Sequence, residues 1–252
     1  MCAAPSSFDW MVVDWPAPPH VRAGISLRSR GPSQQAFKHF NLAQHVGDDP
    51  VIVEANRTIL KNELALPAEP CWLEQVHGID VVEADQQAHV AVADAAFSRQ
   101  SGAVCVVMTA DCLPVLLTNR KGTTVAAAHA GWRGLSAGVL EATLTKAGLD
   151  PAETLAWLGP CIGPAVYEVG EEVKQAFLQQ AMHDDSAFLA NGPGKVLMDM
   201  YKLARQRLNA LGVKSIYGGS FCTYTQSEQF YSYRREGQTG RMASLIWMEP
   251  PA

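Results

Sequence analysis

Three short apolar runs in this 252-residue chain end on side chains able to hold a metal ion. Cys71–Val76 runs into His77-Gly78, Ala103–Thr109 into Ala110-Asp111-Cys112, and Thr123–Ala128 into His129-Ala130-Gly131. Each run has the length and composition of a strand. Ligands in α/β sheets collect beyond strand ends, so neighbouring strands with these ends together would bring His77, Cys112 and His129 to one point. Two imidazoles and a thiolate suit Zn2+, and three protein ligands leave a fourth position open, as catalytic centres do. Such an ion can draw the pKa of a bound water toward ~7 or polarise a substrate oxygen. The gaps from 77 to 112 and from 112 to 129 follow no compact zinc-finger rule. Two turn histidines beside a packed thiol would leave the same sequence.

Glycine-rich turns next to arginines form a second group. His129-Ala-Gly-Trp-Arg-Gly134 leads into a helical pattern whose first amides could hold a phosphate or carboxylate, with Arg133 adding charge-assisted bonds. An ordinary strand-to-helix turn with a solvated arginine reads the same way. Ser232-Tyr-Arg-Arg235 and Thr239-Gly-Arg241 add further guanidinium groups, which fit phosphate bidentately but more commonly lie on the surface. Gly159-Pro-Cys-Ile-Gly-Pro164 forces a tight turn. A cysteine becomes a nucleophile only beside a base or cation, so Cys161 is expected as a packed thiol shaping a pocket wall, and Cys222-Thr223 invites the same reading.

Several apparent motifs fail on context. Gly134-Leu-Ser136-Ala-Gly138 has the G-x-S-x-G form, yet Ser136 falls inside a helix rather than on a sharp turn after a strand. Gly192-Pro-Gly194-Lys195 lacks the earlier glycine of a phosphate loop and is followed by Val196. His183-Asp184-Asp185 reads as a solvated helix end. No two histidines stand i, i+2 apart, which weakens a copper cluster, and the deaminase pairing of H-x-E with P-C-x-x-C is absent.

The elements that must position these residues are short. Strands are expected at Val21–Leu27, Cys71–Val76, Asp80–Glu83, Ala103–Thr109, Pro114–Thr118, Thr123–Ala128, Leu155–Leu158, Ser215–Gly218 and Met242–Trp247. Helices are expected at Val51–Leu64, Leu135–Ala147, Glu171–Gln180 and Met198–Leu211, the last closed by Gly212. Strands and helices mix along the whole length, which predicts an α/β or α+β sandwich of mixed sheets covered by helices. No linker or repeat interrupts residues 1–252, so one domain is expected. Hydrophobic residues are 48% and charged residues 18%, enough for a core and too little charge for disorder. A net charge of −5 argues against wrapping nucleic acid or anionic lipid. Gly102–Leu117 is broken by Asp111 and Pro114, so no membrane span is expected. Met1–Asp9 lacks the form of a secretory signal, and six scattered cysteines fit a reducing, cytoplasmic compartment.

Several long segments, in order, resemble one family. They are Asn41-Leu42 with His45-Val-Gly-Asp-Asp-Pro50 and Asn56-Arg57, then Gln75-Val-His-Gly78 and Thr109-Ala-Asp-Cys-Leu-Pro-Val-Leu-Leu117. His129-Ala-Gly-Trp-Arg-Gly134, Gly159-Pro-Cys-Ile-Gly163 and Tyr167-Glu-Val-Gly170 follow, then Cys222-Thr223, Phe230-Tyr-Ser-Tyr-Arg-Arg235 and Thr239-Gly-Arg241. Together they span residues 20–248 and are similar to the YfiH/laccase-domain family, also called the polyphenol oxidase or purine nucleoside phosphorylase family. The resemblance implies a single-domain α–β sandwich binding zinc through His77, Cys112 and His129. It implies phosphorolysis of adenosine, inosine and methylthioadenosine, with adenosine deamination. Some relatives resemble peptidoglycan editing hydrolases of UDP-muramoyl-L-serine-type precursors, and an older label is copper laccase. A metal-binding protein without catalysis is the remaining alternative. In that frame Arg57, Arg133 or Arg234 would hold phosphate, Asp111 would transfer a proton or orient a ligand, and Gln75, Cys161 and Cys222 would line the pocket. Partners would be small molecules, with neither nucleic acid nor membrane. Ala43 and Ser98 depart from the family pattern, where Gly and Thr are expected.

Overall fold

A computed structural model describes residues 8–87, 89–179 and 184–250. Cys2, His183 and the last residue of the expected helix Glu171–Gln180 lie outside the described residues. The chain begins with β1 (Trp10–Val12), β2 (Val21–Ser26) and α1 (Pro50–Glu63), followed by β3 (Leu73–Glu74), β4 (Val81–Glu83), β5 (Ala91–Val92) and β6 (Ala95–Ser98). The centre holds β7 (Val104–Thr109), β8 (Leu113–Asn119), β9 (Val125–Ala130), α2 (Trp132–Ala137), α3 (Val139–Ala147) and β10 (Thr154–Leu158). The last part holds β11 (Glu168–Gly170), α4 (Glu171–Leu178), β12 (Phe188–Ala190), β13 (Lys195–Met198), α5 (Met200–Ala210), β14 (Ser215–Gly218), α6 (Tyr233–Glu236) and β15 (Met242–Met248).

Two sheets stack face to face. One has the order β14-β10-β8-β9-β6-β4, the other β1-β2-β15-β7. Their strands read as near-continuous apolar runs because both faces are covered. Alternation still sorts the side chains. In β7, Cys105 and Val107 face the space between the sheets, packing with Ile25, Leu116, Ala127 and Ile246. Val104, Val106 and Met108 point the other way, to Phe40, Leu42 and Leu60 of α1 and its approach. In β8, Leu113, Val115 and Leu117 turn outward to a layer built by Leu135, Leu140, Phe177 and Leu203 from α2 to α5. The order of layers is therefore helices, six-stranded sheet, four-stranded sheet, α1.

Three differences from the sequence expectation bear on the site. The expected helix Leu135–Ala147 is two helices, because Gly138 takes φ +109° and turns the chain between α2 and α3. The expected strand Cys71–Val76 keeps only β3 and a bridge from Cys71 to Cys105, since Gln75, Val76 and His77 leave the sheet to form part of the site. The strand expected at Thr123–Ala128 is displaced two residues along, so that His129 lies within β9, opposite Pro114 of β8.

Candidate metal centre

β8 and β9 form an antiparallel hairpin, and its open end sets Cys112, just before β8, against His129 in β9. β6 pairs with β9 and β4 with β6, which carries the segment between β3 and β4, with His77, to the same rim. The ligand atoms of His77, Cys112 and His129 lie within 4.8 Å of one another. Cys112 Sγ stands 3.7 Å from His77 Nε2. A tetrahedral zinc with its usual bond lengths places sulfur and nitrogen about 3.6 Å apart, so the pair already has the spacing an ion requires.

Asp94, between β5 and β6, organises this rim. It is fully buried. Its Oδ1 accepts hydrogen bonds from His129 Nδ1 at 2.7 Å and from the His77 amide at 2.9 Å. Its Oδ2 accepts from the Gly78 amide at 2.6 Å and the Val76 amide at 3.2 Å. Holding the proton on His129 Nδ1 leaves Nε2 as the nitrogen that faces a metal. The three amide bonds also stabilise His77 in a left-handed conformation, φ +61°, which a non-glycine residue adopts at a cost of about 1–3 kcal/mol. Burial works against the Asp94 carboxylate, but the hydrogen bonds from His129 and the Gly78 and Val76 amides outweigh it and hold its pKa below the ordinary value.

The three donors are electronically matched. Burial penalises the Cys112 thiolate, yet the adjacent His129, with hydrogen bonds from both rings, brings the thiol down to about 6. Burial likewise disfavours a charged His129, and the Cys112 thiolate and Asp94 overcome it, raising the imidazole to about 9. Both shifts favour the thiolate–imidazolium form of the pair. A divalent cation would take the proton's place between them, which is the behaviour expected of a metal-ligand set. Gly131 is needed for the approach, because a Cβ there would fall 2.7 Å from His77 Cδ2 and 3.2 Å from Cys112 Sγ. Among the described residues this is the cluster of three metal-capable side chains that forms.

The cluster opens on a cavity of about 410 Å3 whose wall includes Gln75, Asp111, Tyr167, Tyr233, Arg234 and Arg241, with His45 at its mouth. Gln75 is a clamp as well as a wall: Nε2 donates to the Met108 carbonyl at 2.9 Å, and Oε1 accepts from the Met108 amide at 2.7 Å. Asp111, φ +92°, accepts from Thr223 Oγ1 and from the Arg234 amide, both at 2.6 Å, tying the loop before Cys112 to the C-terminal segment. The Arg234 guanidinium lies over the Tyr167 ring at 5.1 Å and donates to the Glu168 carbonyl. Burial pushes the Tyr167 hydroxyl far above its usual pKa, so it is a neutral donor.

Other nominated residues stand elsewhere. Arg57 stacks on Trp72 at 3.8 Å and donates to the Leu42 carbonyl, outside this cavity wall. Arg133 is exposed and lies over Trp132 on α2. Cys161 is buried among the helices, its thiol pushed up by desolvation. Cys222 faces a separate cavity with Lys202 and Arg205. Sequence reasoning passed over Asp94, whose isolated position carries no spacing signal. His45, Tyr167 and Tyr233 stand in the matching segments with no role attached to them, and Arg241 stands only among the arginines able to fit phosphate; common membership of those segments was the available signal.

The fold and site define a mixed α/β protein with a cluster of three metal-capable side chains at a sheet rim. The chain belongs to the family described as multi-copper polyphenol oxidoreductase laccase, which matches residues 22–249. A protein of Pseudomonas aeruginosa named purine nucleoside phosphorylase is 52% identical over 241 residues, covering 95% of this chain and 98% of its own. Purine nucleoside phosphorylase YfiH of Escherichia coli is 52% identical over 239 residues, covering 94% and 98%. A solved structure from Neisseria meningitidis superposes with a TM-score of 0.92 at 45% identity, covering 96% of this chain and 99% of that one. Among the described residues no helix is long and apolar enough to cross a membrane.

Proposed function

We propose that this protein is a zinc-dependent purine nucleoside phosphorylase acting on adenosine, inosine and methylthioadenosine, with residues 1–252 as one functional domain. The observation that carries the reading is the convergence of His77, Cys112 and His129 in the lining of a cavity of about 410 Å3. The names of relatives at about half identity support the choice of substrate. Two nitrogens and one thiolate favour zinc over harder cations, and bound there it would supply Lewis-acid chemistry to the cavity.

Phosphorolysis joins a phosphate oxygen to C1′ of the ribose as the bond from C1′ to N9 breaks. The electron pair leaves with the base, which gains a proton. Catalysis in such a step comes largely from positioning and from stabilising charge as it develops. Tyr167 and Tyr233 offer ring faces for the purine, and the buried Tyr167 hydroxyl keeps its proton for donation. Arg234 and Arg241 bring positive charge to the wall for an anion. Asp111 holds the Cys112 loop and the Arg234 backbone in register.

Adenosine and inosine incubated with metal-loaded protein, with and without phosphate, test the reading. Ribose 1-phosphate and free base should form only with phosphate, and Cys112→Ala should abolish both metal content and product. Inosine formed from adenosine without phosphate would add the deaminase activity. If zinc-replete protein yields no ribose 1-phosphate, the phosphorylase reading is wrong.

A further inference from the structure

The main cavity does not end at the tyrosines. His45, Tyr233 and Arg241 also line a second cavity of about 350 Å3, completed by Val46, Gly237, Gln238 and Thr239. These three side chains are the partition between the two spaces. Resting on the proposed phosphorylase reading, we propose that His45 and Arg241 form a subsite for a phosphate-type oxyanion at this partition.

Arg241 is half-buried. Its Nη1 donates to the carbonyls of Thr239 and Gly240, at 2.8 and 3.1 Å. No carboxylate lies within salt-bridge distance of it among the described residues, the Cys112 and Asp111 charges acting on it only at longer range, and Nε and Nη2 have no protein acceptor there. Its guanidinium stands 5.8 Å from the Tyr233 ring. A desolvated cation without a salt bridge, with three of its five N–H donors lacking a protein acceptor and its side chain lining two cavities, calls for an anion. The His45 ring makes no hydrogen bond among the described residues, lines the same two cavities and can supply one more donor. Arg57, by contrast, is stacked and bonded.

The subsite is built in advance. Asn41 is fully buried and joins the two sides. Its Oδ1 accepts from the Arg241 amide and the Ala43 amide, each at 3.0 Å. Its Nδ2 donates to the Ala43 carbonyl and to Asp48 Oδ2, each at 3.0 Å. The turn bearing His45 is thereby fixed against the start of β15, so an oxyanion meets donors already in place, with little ordering cost. Tyr233, more than half exposed, lines both cavities.

The anion could be free orthophosphate or the phosphate of a 5′-phosphorylated nucleoside reaching through the partition. Metal-loaded wild type, Arg241→Gln, Arg241→Lys and His45→Asn are compared by calorimetric binding of orthophosphate and of adenosine 5′-phosphate. The phosphate KM in adenosine cleavage is measured in parallel. Arg241→Gln should weaken binding of the anion about tenfold or more and raise the phosphate KM to match, while the adenosine KM stays within about twofold. Arg241→Lys keeps charge without the fork and should fall between. His45→Asn should lose a smaller factor. Orthophosphate affected alone identifies the free anion as the ligand, and adenosine 5′-phosphate affected alone identifies the ester. Unchanged affinity for both ligands in folded Arg241→Lys and His45→Asn overturns the proposal, even if adenosine is cleaved. Anion binding that depends on Arg241 in a protein that cleaves no nucleoside would sustain the subsite and remove the phosphorylase reading.

Discussion

Replacing Asp94 by Asn is the most incisive perturbation of this centre, because shape is kept and only hydrogen-bonding capacity changes. The carboxylate accepts four bonds, two on each oxygen, from His129 Nδ1 and three consecutive amides. An Asn side chain has one oxygen and one NH2 group. Whichever way it turns, two acceptors are lost and a donor faces two donors. At about 1.5–3 kcal/mol for each charge-assisted bond, the loss is about 3–6 kcal/mol, set against a total stability of about 5–15 kcal/mol. If the NH2 group faces His129, the ring can pair only by moving its proton to Nε2, the coordinating nitrogen, and metal affinity should fall about 10–100-fold. Urea unfolding in chelator gives the stability loss, and a competition titration with zinc gives the affinity. The carboxylate is held below its ordinary pKa, so its contribution is complete above the usual carboxylate range and disappears as the pH falls through the native value. The gap between wild type and Asp94→Asn should therefore close on acidification. A variant within about 1 kcal/mol and about threefold of wild type at neutral pH would refute the assignment of Asp94 as organiser of the rim.

Three other outcomes follow from the same geometry. Gly131→Ala places a methyl group against His77 and Cys112, so zinc affinity should drop sharply with little loss of far-UV circular dichroism; unchanged affinity would mean the rim is looser than its contacts imply. In metal-free protein, alkylation of Cys112 by iodoacetamide, read by mass spectrometry, should be half-maximal near pH 6, and saturating zinc should protect the thiol. A midpoint at the ordinary thiol value would remove the thiolate–imidazolium pairing. Arg133→Ala, exposed and outside the cavity wall, should change nucleoside turnover by less than about twofold in steady-state assays, because isolated surface charges contribute little.

The strands and helices that carry the site were largely legible in the chain. Val104–Thr109, Leu113–Asn119 and Met242–Met248 announce themselves as short apolar runs, and Pro50 and Gly212 bracket helices through backbone chemistry alone. β6, Ala95–Ser98, escaped notice: its alanines lack the β-branched signal and it is a strand only because β4 and β9 flank it. The break at Gly138 was hidden because glycine within an apolar helical pattern looks tolerable until packing of α2 and α3 on different neighbours demands a turn.

The amino-acid order by itself determined which side chains could bind a metal, since imidazole and thiolate chemistry belongs to the residue type and the flanking strands follow from local pattern. Only the tertiary structure decided how those groups are oriented and which arginines matter. Asp94 acts by receiving four donors from two separate segments, and Asn41 sets Arg241 beside His45 by spanning 200 residues of chain. Hydrogen bonds of that reach depend on layer stacking and sheet register, quantities that no local run of residues contains.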